Sequence, residues 1–147
     1  MARYSAEVTT GAGSTTLPIM SLYAPAGNRL IVREVGVFNT TTTAVVVGLK
    51  LVRLASTGTQ GAAITPTLFD PGSPAATGNP RTTHTVAPTL GTDIAAMPVG
   101  AAIGAGTILT FYGEGNGLVI AAGTANGIGI LPLGVGQVCT AHIIWDE

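Results

Sequence analysis

The chain has 147 residues, enough for one domain, with 46% hydrophobic residues, 9% charged residues and a net charge of −1; soluble domains carry about 25% charged residues. Its six basic and seven acidic residues are scattered singly, which excludes the clustered positive charge of a nucleic-acid binder and the basic amphipathic helix of a membrane-surface protein. The single cysteine, Cys139, excludes an intrachain disulfide, and the opening MARYSAEVTT lacks the charged-then-apolar pattern of a secretory signal.

In residues 2–10, Tyr4, Ala6 and Val8 alternate with Arg3, Ser5 and Glu7, the period of a first strand. GAGSTT at 11–16 is a loop, so 1–16 reads as an N-terminal arm carrying that strand. Residues 17–23 form a short second strand, closed by the turn APAGN at 24–28. The clearest signal lies at 25–54. In 30–38, Ile31, Arg33, Val35 and Val37 take one face and Leu30, Val32, Glu34, Gly36 and Phe38 the other. Both faces are mostly apolar, so this strand is expected to be covered on both sides or to lie at an interface. In 44–54, Val45, Val47, Leu49 and Leu51 oppose Ala44, Val46, Gly48, Lys50 and Val52. Asn39 and four threonines supply a turn, and the two strands are expected to pair as a β-hairpin.

STGTQG at 56–61 is a further turn. Residues 62–88 carry five prolines and read as an extended loop, either an ordered excursion or a mobile one. Leu68, Phe69 and Val86 are candidates to pin it, 82–86 is a candidate strand, and 72–78 is expected to be dispensable if it is a surface excursion, and indispensable if the loop is part of the core. Residues 94–105 are the one helix candidate, favoured by alanines and opposed by Pro98, Gly100 and Gly104, so a turn or two at most is expected. Strands follow at 107–112, 118–121, 128–131 and 137–145, separated by GEGNG, AGTANG and LPLGVG. Short strands between glycine-rich turns predict an all-β protein: an antiparallel, jelly-roll-like β-sandwich, with 1–147 as a single domain.

Chemistry is sparse. Cys139 and His142 lie three apart, on opposite faces of a strand, and cannot form a dyad there; Cys139 shares its face with Ala141, Ile143 and Trp145 and reads as a core residue. His142 and Asp146 share a face about 13 Å apart. His84 could pair with Asp70 or Asp93, although a plain surface or interface histidine is the preferred reading. Asp146 and Glu147 read as a solvated tail. The acids and histidines show no metal-ligand spacing, and Lys50, the one lysine, sits inside a strand rather than in a phosphate loop. Asn39-Thr40-Thr41 is a formal glycosylation sequon. Arg33 and Glu34 point to opposite faces, so each needs its own partner. Arg29, Arg33 and Arg53 are candidates for cross-strand or inter-subunit ion pairs. No catalytic residue, metal or cofactor is expected, and the chain is not expected to be an enzyme. The candidate interface residues are Arg29, Arg33, Glu34, Arg53, Phe69, Asp70, Arg81 and His84.

GNRLIVREVGVFNTTTTAVVVGLKLVRL at 27–54, THTVAPTLG at 83–91, AGTANGIGI at 122–130 and the terminal IIWDE resemble small virion structural proteins of tailed bacteriophages, over most of the chain. The resemblance implies a capsid decoration (cement) protein or a minor head or tail protein. Proteins of the first kind are typically β-sandwich or jelly-roll trimers that sit where capsomers meet. It therefore implies the major capsid protein and further copies of the chain, as a homotrimer, for partners, with no nucleic acid or membrane. It also implies a place on the capsid surface after synthesis in the host cytoplasm. The low charge fits a surface that becomes interface, with 1–16 and 62–88 as the reaching segments. The alternatives are a tail or neck component and, from another class, a carbohydrate-binding host-adhesion module. The low aromatic content, one Trp, three Tyr and three Phe, speaks against the last.

Overall fold

The computed structural model describes residues 1–41, 48–112, 117–134 and 137–147. The first part of the expected strand at 44–54 and most of the GEGNG turn lie outside the described residues. The described chain is all-β. Its strands are β1 (Arg3–Thr9), β2 (Met20–Tyr23), β3 (Leu30–Asn39), β4 (Leu49–Leu54), β5 (Thr67–Leu68), β6 (Asn79–Arg81), β7 (Leu90–Ala96), β8 (Gly106–Thr110), β9 (Leu118–Ile120), β10 (Gly127–Pro132) and β11 (Cys139–Asp146).

Two antiparallel sheets pack face to face. One runs β5-β1-β11-β3-β8, with β9 also on β3; the other runs β6-β2-β10-β4-β7. The pairs are nested: β4 with β7, β3 with β8 and β9, β2 with β10, β1 with β11. A ribbon folded back on itself and then wrapped so that most successive strands fall in opposite sheets is a jelly roll.

The wrapping overturns the expected hairpin. β3 pairs with β11, β8 and β9, and β4 pairs with β10 and β7, so the two lie in different sheets. The reason is the core. Leu30, Val32, Val35 and Val37 of β3 and Leu49 and Leu51 of β4 belong to one buried cluster. Pairing the strands edge to edge would leave that apolar face bare, whereas placing them in facing sheets buries it from both sides.

A bulge explains why both faces of β3 look apolar. The register of β3 on β11 shifts between Ile144 and Trp145: Glu34 lies opposite Ile144 but Val32 opposite Trp145, so Arg33 is an extra residue. The shift changes the parity of the strand. Leu30 and Val32 before it, and Val35 and Val37 after it, all enter the core. Arg33 and Glu34 therefore both emerge on the outer face, a correction to the expectation that they oppose each other.

The helix candidate is also corrected. Residues 90–96 form β7 on the edge of β4, after which Met97 and Val99 enter the core. Alanine's helical preference amounts to tenths of a kcal/mol per residue, less than a ladder of backbone hydrogen bonds gives. Pro98 and the turn at 101–104 then end any local helix.

The long excursion is stitched to both sheets. β5 extends the first sheet beyond β1, and β6 extends the second beyond β2. Leu68 and Ala76 pack on the core, whereas the Phe69 and Val86 side chains stand 58% and 55% exposed and these residues hold the excursion only through their backbones, on Arg3 and Thr59. The short strand forms at Asn79–Arg81, not at 82–86. Nor is 72–78 a detachable surface. Tyr4 donates its hydroxyl to the Pro74 carbonyl at 2.9 Å, and the backbone N–H groups of Thr77 and Gly78 donate to the Glu147 carboxylate at 3.0 and 3.3 Å. A Cβ on Gly78 would meet Trp145 Nε1 at 2.9 Å, so glycine lets the backbone lie against the indole. The N-terminal residues are no free arm either, because β1 pairs with β11 along its whole length.

The core is centred on Trp145, stacked on Tyr4 with ring centroids 5.9 Å apart. Cys139, Ala141 and Ile143 line the same face, as the sequence alternation predicts. A second apolar cluster, Tyr23, Val52, Leu54 and Leu131, covers the outside of the second sheet. Gly127 and Gly129 of β10 make room for it: side chains there would run into Tyr23, and into Leu54 and Pro18.

Replacing 72–78 with a glycine linker of equal length keeps the backbone groups at 74, 77 and 78 but removes the Ala76 packing, the Thr77 hydroxyl on Glu147 and the stiffness of the five non-glycine residues, and is expected to lower unfolding stability by about 2–4 kcal/mol. Tyr4→Phe alone should lose about 1 kcal/mol. Urea denaturation of both variants measures it, and an unchanged midpoint for the linker variant would contradict the stitched arrangement.

Candidate functional site

The outer face of the first sheet gathers four of the polar side chains that sequence reading singled out, Arg33, Glu34, His142 and Asp146. β11 lies between β1 and β3, with Arg3 opposite Asp146 and Ile31 opposite Asp146 on the other side. Arg3 donates from Nε to Asp146 Oδ1 at 2.7 Å and from Nη2 to Oδ2 at 3.1 Å. Arg33, brought outward by the bulge, donates from Nε to Oδ2 at 2.7 Å. Asp146 is buried between the two guanidinium groups. Burial alone would push its carboxyl up; the hydrogen bonds from Arg3 and Arg33 outweigh that and hold it below the usual carboxylate value.

Four residues earlier on β11, His142 Nε2 lies 2.9 Å from Glu34 Oε1, and its ring stacks on Phe38 with centroids 6.1 Å apart. The imidazole lies over Gly36, where a Cβ would collide with it. At the end of the strand, Glu147 accepts from Trp145 Nε1 at 3.2 Å as well as from Thr77 and Gly78. The two terminal acids are thus structural groups, not the solvated tail expected.

A second polar pair lies outside the other sheet. Ser21 Oγ and His84 Nε2 are 2.8 Å apart, and both residues are buried. Residues 82–86 cross over β2 as a strap, tied by His84 N–H to the Pro18 carbonyl at 3.1 Å and by Thr83 Oγ1 to the Ile19 carbonyl at 3.3 Å. Tyr23, 6.0 Å from the His84 ring, donates to the Ser56 carbonyl at 3.1 Å. The Ser–His spacing is that of a nucleophile and its base. Yet the pair is closed off by the strap, and Nδ1 makes no hydrogen bond to a carboxylate that could orient the ring. Its chemistry is that of a polar contact fastening the strap. Burial pushes His84 below its ordinary pKa; the Val86 backbone opposes this and the charge of Arg81 adds to it.

The eight candidate interface residues do not form one site. Arg33 and Glu34 lie on the outer face of the first sheet and make cross-strand pairs, as the sequence suggests for Arg33. Arg53 instead donates to the Val119 carbonyl of the facing sheet. Asp70 caps its own turn, accepting from Gly72 N–H at 2.9 Å, next to the exposed Phe69. Arg81 donates to Asn79 Oδ1 at 2.9 Å. Arg29 is exposed at the start of β3. His84 is neither at the surface nor paired with Asp70 or Asp93, a correction with a plain cause: the strap folds it inward, and Asp93 is taken by Lys50 at 2.8 Å.

Sequence reading gave Arg3 and Ser21 no role and took Asn39 for a turn residue and formal sequon. Asn39 is buried; its amide donates to the Ala101 and Ala102 carbonyls at 3.2 Å each, and its Oδ1 accepts from Gln137 at 2.9 Å. The sequon asparagine is therefore a strut between loops. Its place in a turn-rich, apolar context was the only signal. For Arg3 the signal was an unpaired charge on the first strand, whose partner is 143 residues away. Among the described residues no group of three or more His, Cys, Asp or Glu is placed to hold a metal ion, and no helix is long and apolar enough to cross a membrane.

No protein-family model, curated protein or solved structure matches the chain. The site's reading rests on its own geometry.

Asp146→Asn should weaken the fold by about 2–4 kcal/mol, because it leaves two guanidinium groups facing a neutral amide; the half-exposed Arg3 keeps the loss below that of a fully buried pair. The pH dependence has two parts. The Asp146 contribution is present above about pH 4 and is lost as pH falls through its lowered value. The unfolded chain protonates His84 before the folded one does, so stability should also fall as pH drops below about 6.5. Thermal unfolding of wild type and His84→Gln between pH 7.5 and 5 separates the two: the wild type should lose more than the variant over that range, and equal losses would remove His84 as the cause.

Proposed function

We propose that this chain is a structural protein of a bacteriophage particle, a capsid decoration (cement) protein that binds the major capsid protein lattice and stabilises it. The observation that carries the reading is how the charged and apolar groups are distributed. Arg3, Arg33, Asp146, Glu34, Lys50 and Asp93 are spent on contacts within the chain, as are Arg53, Arg81, Asp70 and Glu147. Among the described residues only Glu7 and Arg29 carry a charge without such a partner. Meanwhile Phe69, Val86, Ile103, Ile108, Tyr112 and Leu133 stand half or more exposed. A surface short of free charge and studded with apolar side chains suits contact with other protein.

The groups that could have run a reaction also serve the fold. Cys139 is a core residue whose thiol burial pushes up, and His84, His142, Asp146 and Glu147 each hold two segments together. A jelly roll with its long excursion stitched to both sheets is a stiff body, which a lattice clamp requires. The resemblance to phage virion proteins adds the particle, the capsid protein as partner and self-association, a homotrimer in that class.

Expanded capsids that lack the protein provide the test. Purified chain should co-sediment with them and raise the temperature at which they disrupt. Failure to bind capsid shells would overturn the reading, and labelling of tails alone in electron micrographs would move the protein to the tail or neck.

A further inference from the structure

We propose that two copies of this chain pair edge to edge through β8, antiparallel about a two-fold axis at Ile108, joining their first sheets into one. The pairing takes up three of the six exposed apolar side chains named above, Ile103, Ile108 and Tyr112, leaves Phe69, Val86 and Leu133 for other contacts, and stands whether or not the chain decorates a capsid.

An exposed sheet edge offers unpaired N–H and C=O groups, and proteins blunt such edges with charges, proline, bulges, shortness or cover. Most edges here carry one of these devices. β5 has two residues. β6 contains Pro80 and is covered by residues 62–64, through Ile64 N–H to the Pro80 carbonyl and Thr82 N–H to the Ala62 carbonyl. β7 departs from register twice on β4 and carries Asp93, ion-paired to Lys50. β9 has three residues. Among the described residues, β8, Gly106–Thr110, has none of them: GTILT is uncharged, free of proline and in unbroken register with β3.

The backbone direction fixes which groups are free. Asn39 N–H donates to the Ala105 carbonyl, and Phe111 N–H donates to the Arg33 carbonyl. Odd-numbered residues of this strand therefore bond β3, and by alternation Gly106, Ile108 and Thr110 turn their N–H and C=O groups outward. A two-fold axis at Ile108 places Ile108 opposite Ile108 of the second copy and Gly106 opposite Thr110. Each outward N–H then meets an outward carbonyl, with no like charges opposed.

The exposed apolar side chains agree with that register. Ile103, Ile108 and Tyr112 are 63%, 50% and 69% exposed, and all three lie on β8 or just beyond its ends. The same axis brings Tyr112 across from Gly104 of the second copy and beside its Ile103, while the two Ile108 side chains meet. A Cβ on Gly104 would touch nothing, so that position leaves room for the ring. This pairing is two-fold, unlike the three-fold association implied by the resemblance, and mass distinguishes them.

Sedimentation equilibrium of the full chain should give twice the 14.6 kDa of one copy, with dissociation on dilution. Ile108→Lys sets two ammonium groups against each other and should raise the dimer dissociation constant at least tenfold with an unchanged circular dichroism spectrum. Ile108→Cys is the second arm, needed if the lysine variant fails to fold. Directly opposed residues in a hydrogen-bonded antiparallel pair have Cα atoms about 5.5 Å apart, within disulfide range, so mild oxidation should yield a covalent dimer. Val138→Cys, exposed at another place, should not cross-link, and the native Cys139 is buried. A monomer or trimer by mass, a lysine variant that still dimerises, or equal cross-linking from Val138→Cys would overturn the pairing.

Discussion

The end of β11 is the constraint on which the other parts depend. Three consecutive side chains there serve three layers. Trp145 fills the core, Asp146 turns outward to two guanidinium groups from the flanking strands, and Glu147 reaches along the rim to the excursion. The register of β1 is set by Arg3 on one side of Asp146 and that of β3 by Arg33 on the other. A slip of one residue would put an acid in the core and an indole in water. Because the carboxylate is buried, losing either arginine leaves it poorly compensated, so the cluster works more as a register lock than as a source of net stability.

The sequence made some of this legible. Period-two alternation marked β1 and β11 within a residue or two, because each has one face that must be buried, and glycine-rich turns bracketed β10, which is buried on both faces. The sandwich class followed from short strands and glycine-rich turns. The hairpin expectation failed because alternation reports that a strand has a buried face, not which strand lies beside it. Two apolar strands joined by a polar turn look the same whether they sit side by side or face each other across a core. The bulge at Arg33 defeated face assignment for a related reason: counting by twos across an inserted residue inverts half the strand, and nothing in LIVREV announces the insertion.

The polar groups were harder to place than the apolar ones. His84 looked superficial because its neighbours are threonines and prolines, yet a strap carrying one ring inward needs little more than a small hydroxyl to receive it, and Ser21 provides that. Asp146 and Glu147 looked like a tail because they end the chain. Their partners, Arg3 and Arg33 in one case and Thr77 and Gly78 in the other, are distant in sequence and near only once the nested ribbon has wrapped. In a protein with so few charges, each one placed wrongly changes the apparent character of a whole face.

Ala2 and Glu147 exchange backbone hydrogen bonds at 2.9 and 3.0 Å, so the chain begins and ends on the same rung. That has a mechanical consequence. Tension applied through the two ends would load the β1–β11 ladder one rung at a time, peeling the strands apart like a zip, and resistance would be low. Force entering through the faces or edges of the sheets must instead shear many backbone bonds together. The fold is thus strong across its sheets and weak along its own thread.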